Sequence, residues 1–90
     1  MLYWYKITTQ DGSKEPYTWV GSSNETMDGL AQKAARGEYI HINDLLYRDR
    51  GEMKEWSHWD KSLEPEIYLN PAFINTIMRF KGDPRITPDR

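Results

Sequence analysis

The sequence has no cysteine among its 90 residues, which excludes disulfide bonds, zinc–thiolate centres and a cysteine nucleophile. It also has no apolar run approaching the ~18 residues of a membrane-spanning helix. Its opening residues, MLYWYKITTQ, lack the charged start and apolar segment of a secretory signal. These absences lead us to expect a cytoplasmic protein with no membrane contact, whose stability comes from packing alone.

A basic block is absent too. Lysine and arginine together number 12 against 14 acidic residues, for a formal net charge of −2, and both signs are spread along the chain. Non-specific nucleic-acid binding depends on clustered cations that neutralise phosphates. A general DNA or RNA binder is therefore disfavoured, although a small local basic patch remains compatible with the sequence.

Motifs that hold cofactors or metals are missing as well. The six glycines are dispersed at turns and form no phosphate-binding loop, and no acidic stretch has calcium-binding spacing. The only histidines, His41 and His58, are not at a helical metal-binding spacing. His58 lies two residues before Asp60, which could orient a base, but no nucleophile with a recognisable context is nearby. We expect no cofactor, no metal and no catalytic residue.

Aromatic residues are abundant: they make up 13% of the chain, including four tryptophans and six tyrosines. Each buried aromatic side chain removes about 150–250 Å² from water, so a short chain can build a core from few of them. Ninety residues suffice for one domain and not for two. We predict a single α+β domain over residues 1–80 and a flexible C-terminal tail over 81–90, where KGDPRITPDR contains two prolines.

The first two elements are predicted strands. LYWYKITTQ and YTWVGS are rich in aromatic and β-branched residues, and Asp-Gly between them favours a turn, so they should form a hairpin. Strand alternation places Trp4 on the face opposite Tyr3 and Tyr5. In the second strand, Tyr17 and Trp19 point to one side.

The segment SSNETMDGLAQKAARG has the clearest helical pattern. Ser22 or Ser23 could cap its N-terminus, and Gly37 is suited to end it. Apolar residues recur with helical spacing and define a narrow stripe of mostly small side chains that should pack on a sheet: Met27, Leu30, Ala31 and Ala34.

The second half favours strands again. EYIHINDLLYRDRGEMKEWSHW predicts strand, turn and strand with Asp-Arg-Gly at the tip, and Ile40 and Ile42 should face the core. In PEIYLNPAFINTIMRF, proline interrupts the strand pattern through a bulge, a sharp corner or a single helical turn. The run IYLNPAFINTI within it resembles a strand–bend–strand segment of small bacterial β-rich proteins, including the FlbD-like flagellar regulators, and this short likeness implies no function.

The motif WSHW has two interpretations. In a strand, Trp56 and Trp59 would point to opposite faces of the sheet, whereas in a helical turn they would lie on one side. In either case we expect most tryptophans to be buried, with at least one or two of the four left on a surface patch. The candidates are Trp4, Trp19, Trp56 and Trp59.

These patterns predict an α+β fold in the order β-β-α-β-β-β, with an antiparallel sheet of about five strands and one amphipathic helix on a face. A curled, barrel-like sheet is the nearest variant. We expect a non-catalytic interaction module, an adaptor, regulator or inhibitor, which binds a protein through an aromatic surface or a sheet edge. Homo-oligomerisation through edge strands is compatible with this expectation. Its candidate partner-binding residues are Trp4, Trp19, Arg48, Arg50, Trp56, His58 and Trp59.

Two other functions remain open at this point. A small nucleic-acid-binding domain would stack bases on tryptophan and tyrosine, with Arg48, Arg50 and Lys54 near the phosphates, and could also self-associate. An enzyme or metal protein would be built around His58 and Asp60. A stacking nucleic-acid binder should lose affinity steeply with added salt, whereas an enzyme should depend on His58 far more than on either neighbouring tryptophan.

Overall fold

A computed structural model describes residues 1–86, apart from the side chains of His58 and Trp59. Within residues 1–86, six strands, two helices and a 3-10 turn follow one another. Their bounds are β1 (Tyr3–Thr9), β2 (Tyr17–Ser23), α1 (Met27–Ala35), β3 (Ile40–Asp49), β4 (Glu52–Glu55), α2 (Trp56–Trp59), β5 (Ile67–Leu69), the 3-10 turn Pro71–Phe73 and β6 (Ile74–Arg79).

All strand pairs are antiparallel, and the main sheet has the order β4-β3-β2-β1-β6, with β5 paired to the first residues of β3. The predicted α+β fold is confirmed. The sheet has six strands instead of about five because the 3-10 turn at Pro71 divides the last predicted strand into β5 and β6. Since β4 and β6 are edges, the sheet does not close, and the barrel-like variant is not observed.

Local turn chemistry determines both hairpins. β1 and β2 form the predicted hairpin, and Ile7 lies directly opposite Trp19. β3 and β4 are joined by the two residues Arg50 and Gly51, whose φ angles are 53° and 84°. Two positive φ angles in a two-residue loop match the twist of a hairpin, so the predicted tip at Asp-Arg-Gly is confirmed.

Helix α1 begins later than predicted. Ser22 and Ser23 belong to β2, and the N-cap is Thr26, whose hydroxyl accepts a hydrogen bond from the amide of Gly29 at 3.0 Å. The C-terminus agrees with the prediction: Gly37 has a φ of 77° and its amide bonds to the Ala34 carbonyl. Glycine fits here because other residues rarely adopt this left-handed conformation.

The sheet carries an apolar cluster on each face. The larger one contains Tyr5, Ile7, Ile40, Ile42 and the fully buried Leu30 of α1, so the helix covers this face as predicted, although Ala31 of the predicted stripe is exposed. The smaller cluster lies on the opposite face and contains Trp4, Val20 and Leu46, with Met53 and Phe80 against it. Strand alternation explains the division, because neighbouring residues of β1 point to opposite faces.

The described part of the C-terminal segment packs on Trp4. Pro84 is buried, and the Arg85 guanidinium lies 4.8 Å from the centre of the Trp4 ring. Arg85 also pairs with Asp83 at 2.7 Å and with Glu55 at 2.8 Å. The division into a domain over 1–80 and a flexible tail over 81–90 stays a prediction, and residues 87–90 lie outside the described residues.

The ion pair between Asp83 and Arg85 leads us to expect a loss of stability in acid. Hydrogen bonds from Arg85 lower the pKa of the Asp83 carboxyl below its usual value of about 3.9. A carboxyl with a lowered folded pKa stabilises the fold above its unfolded pKa and loses that contribution as pH falls through the folded one. Because the pair is partly exposed, we expect about 1 kcal/mol or less.

Urea unfolding of the wild type and Asp83→Asn across acidic pH tests this expectation. The free energies of unfolding should differ above about pH 4 and converge below it. A difference that stays constant through the acid range would contradict an ionic contribution from Asp83.

Candidate interaction surface

Three aromatic rings form a continuous row on the larger-cluster face of the sheet. The ring centres of Tyr17 and Trp19 are 4.7 Å apart, and those of Trp19 and Trp56 are 6.1 Å apart with only 22° between their planes. We call Tyr17, Trp19 and Trp56 the aromatic row. Such distances lie in the range in which aromatic pairs add stability beyond the area they bury.

Different parts of the sequence build this row. Tyr17 and Trp19 are two residues apart on β2, so alternation places them side by side. Trp56 begins helix α2 directly after β4, and the helical interpretation of WSHW is therefore the observed one. The strand interpretation is wrong after Glu55, because the chain turns there and carries Trp56 towards β3.

Hydrogen bonds fix the orientation of both indoles. The Nε1–H of Trp19 donates to the Thr9 hydroxyl at 3.1 Å, and that of Trp56 donates to the Leu46 carbonyl at 3.2 Å. A partner would therefore meet ring surface instead of free indole donors. Since the rings are already held in place, little side-chain entropy remains to be lost on binding.

The row is exposed at the Tyr17 end. Tyr17 is 57% exposed, whereas Trp19 and Trp56 are half-buried because they also pack against the larger cluster. A shallow groove runs beside the row. It lies next to the last β2–β3 pair, Val20 and Leu46, and is lined by residues from both faces of the sheet, including Tyr47 and Met53. The groove has apolar walls and polar residues at its rim, a combination typical of protein interfaces.

Basic residues border the groove. Lys6 and Arg48 line it, and an Arg48 guanidinium nitrogen donates to the Gly51 carbonyl at 3.4 Å. Nearby, the Lys54 ammonium lies 3.1 Å from an Asp49 carboxylate oxygen, and this hydrogen bond raises the pKa of Lys54. The rim therefore carries the side chains of Lys6 and Arg48 close to the Lys54–Asp49 ion pair.

The structure brings together three of the seven residues that the sequence nominated for partner binding: Trp19, Trp56 and Arg48. Trp4 lies on the opposite face and is 6% exposed. Arg50 is at the β3–β4 tip, and the side chains of His58 and Trp59 lie outside the described residues. The nomination missed Tyr17, although its alternation with Trp19 on β2 was visible in the sequence.

Polar side chains show two local arrangements. His41 is 3.0 Å from a Glu66 oxygen, and its ring stacks on Tyr68 with centres 4.3 Å apart. Asp60 accepts hydrogen bonds from the amide and hydroxyl of Ser62, which lower its pKa. Neither arrangement contains an activated nucleophile of the kind that covalent catalysis uses.

The described residues include no group suited to bind a metal ion and no helix suited to cross a membrane. In the described part of the chain, no three histidine, aspartate or glutamate side chains converge as metal ligands would. Neither helix within residues 1–86 has the length and apolar character needed to cross a bilayer.

Comparison with known proteins identifies no relative: no family model, curated protein or solved structure matches the chain. The fold class therefore comes from the chain's own strand order, and its function has to be inferred from its own surface. Among the described residues, the aromatic row combines three neighbouring rings with an adjoining groove.

Proposed function

We propose that this protein is a non-catalytic interaction module that binds a protein partner through the aromatic row and the groove beside it. The observation that carries the proposal is the prearranged row itself, with Tyr17 exposed beside two hydrogen-bonded tryptophans. Tyrosine and tryptophan are the residue types most enriched at binding hot spots. A module of this kind would act as an adaptor, a regulator or an inhibitor.

The ring geometry favours a protein partner over nucleic acid. A stacked base needs a free ring face. Trp19 packs against Tyr17, Trp56 and the larger cluster, so contacts within the protein already occupy much of its ring. Partly covered rings beside apolar groove walls suit the side chains of a protein.

The charges of the groove and of the whole chain also favour a protein partner over nucleic acid. The groove has Lys6 and Arg48 on its border, whereas the whole chain has a net charge of −2. A backbone-binding track for single-stranded nucleic acid uses a longer line of cations. Lys6 beside an apolar groove instead suits a protein segment with an acidic residue near an apolar anchor.

A matched pair of tyrosine variants tests the proposal. Tyr17 and Tyr39 are 57% and 55% exposed, so replacing either with alanine removes the same atoms from a similarly solvated site. The wild-type protein is used to capture partners from a lysate of the source cells, with protein and nucleic acid both assayed. The affinity of a captured partner is then measured for both variants.

We expect Tyr17→Ala to weaken binding of a protein by about tenfold or more, and Tyr39→Ala to leave it nearly unchanged. Thermal unfolding confirms that both variants are folded. Equal loss in both variants would refute the assignment to the aromatic row. Capture of nucleic acid alone, with steep salt dependence, would refute the protein-binding proposal and support the stacking alternative.

A further inference from the structure

The two edges of the main sheet differ in how they are protected. β4 has only four residues, and Glu52, Lys54 and Glu55 are charged. β6 has six residues, no proline, and Arg79 as its single charge. Short, charged strands discourage pairing with other chains, whereas longer uncharged edges permit it. β6 is therefore the edge at which another strand can add.

The hydrogen-bond pattern shows which β6 groups face outwards. The Phe80 amide donates to the Trp4 carbonyl at 2.8 Å, and Met78 lies opposite Lys6. Bonded and non-bonded pairs alternate in an antiparallel ladder, so Phe80 and Met78 direct their backbone groups at β1. Ile77 then directs its backbone N–H and C=O away from β1, and within residues 1–86 no strand lies on that side.

An apolar line also ends at this edge. Trp19 is directly opposite Ile7, and Ile7 is directly opposite Ile77, so the three side chains cross the sheet on one face. Ile77 is half-buried because it has a neighbour on one side only. On the other face, Met78 is 60% exposed.

We propose that two copies of this chain associate by antiparallel pairing of their β6 strands about a two-fold axis at Ile77. Ile77 then faces Ile77 of the second copy, and its outward N–H and C=O exchange the two hydrogen bonds of one bonded pair. The apolar line continues from one sheet into the next.

Charge placement fits a second copy as the occupant. In this register Thr76 lies opposite Met78 of the second copy, and Arg79 lies opposite Asn75. No like charges meet, and each contact occurs twice because of the two-fold symmetry. Since β1 separates β6 from β2, the dimer contact and the aromatic row are different surfaces.

Variants that introduce charge on β6 test the contact. Thr76 and Met78 are exposed, so charging them should leave the monomer folded. Thr76→Lys/Met78→Lys places like charges opposite each other in the dimer, and so does Thr76→Glu/Met78→Glu. An equimolar mixture of the two variants places opposite charges together instead. Sedimentation velocity from micromolar to millimolar concentration measures the mass of each sample.

We expect wild-type mass to rise towards a dimer with concentration, each double variant to associate at least about tenfold more weakly, and the mixture to recover the dimer. Glu52→Lys on the opposite edge is the matched control and should dimerise like the wild type. Tryptophan fluorescence and thermal unfolding check the fold of every variant, because Lys6 lies beside position 78. A wild type that stays monomeric, or a dimer that the double variants leave intact, overturns the proposal.

Discussion

Replacing Gly21 with alanine is expected to lower the free energy of unfolding by about 3 kcal/mol or more. A Cβ atom there would lie 2.3 Å from a methyl carbon of Ile42 and 2.6 Å from the carbonyl oxygen of Asn43. The second atom belongs to the backbone, which cannot turn aside as a side chain can. A hydrogen bond also holds β2 and β3 together at this point, since the Ser22 hydroxyl donates to an Asp44 carboxylate oxygen at 2.6 Å.

Gly29→Ala is the matched control. The same substitution is expected to leave the free energy of unfolding unchanged or to raise it, whereas Gly21→Ala lowers it. Its Cβ would approach the Glu25 carboxylate at 2.7 Å, but this is the end of a flexible side chain that can move. Alanine also favours a helix by about 1 kcal/mol over glycine. Urea unfolding should therefore show strong destabilisation at Gly21 and none, or a gain, at Gly29. Similar losses at the two positions would contradict the close approach at Gly21.

The close approach exists because β3 contains a bulge. Between the pairs Val20–Leu46 and Ser22–Asn43 the register shifts by one residue, and Asp44 has a φ of 49°. An extra residue reverses the alternation of a strand. This is how Ile42 and Leu45, three residues apart, reach the same cluster.

Sequence alone predicted the elements whose signals are local. The first hairpin follows from two β-rich runs and a turn, and the helix end follows from Gly37. The helix start was misplaced because Ser22 and Ser23 resemble caps, yet they are 0% and 3% exposed within β2. Burial in a sheet depends on neighbouring strands, which a short sequence window does not contain.

The candidate surface was predictable only in part, for the same reason. Trp19 and Trp56 were both nominated from composition, but their contact depends on where β4 stops and α2 begins. Part of the cover over Trp4 comes from Arg85, which is 81 positions later in the chain by 85 − 4. Contacts at such separation leave no periodic signal, so the burial of one tryptophan and the exposure of another could not be distinguished.

Leu30→Ala is expected to cost about 2–5 kcal/mol, because it removes the only fully buried side chain of α1 and leaves a cavity against the sheet. Small domains have about 5–15 kcal/mol of stability in total, so this one change takes a large share. Gln32→Ala on the exposed side of the same helix should change stability by no more than about 0.5 kcal/mol. Urea unfolding followed by tryptophan fluorescence and by helical circular dichroism compares the two variants.

The two probes show whether α1 unfolds together with the sheet or before it. If α1 is part of one cooperative unit with the sheet, fluorescence and circular dichroism shift together in Leu30→Ala. Loss of the helical signal before the fluorescence change would mean that the sheet, with its aromatic row, folds without α1. A cost below about 1 kcal/mol for Leu30→Ala would contradict the packing of the helix on the larger cluster.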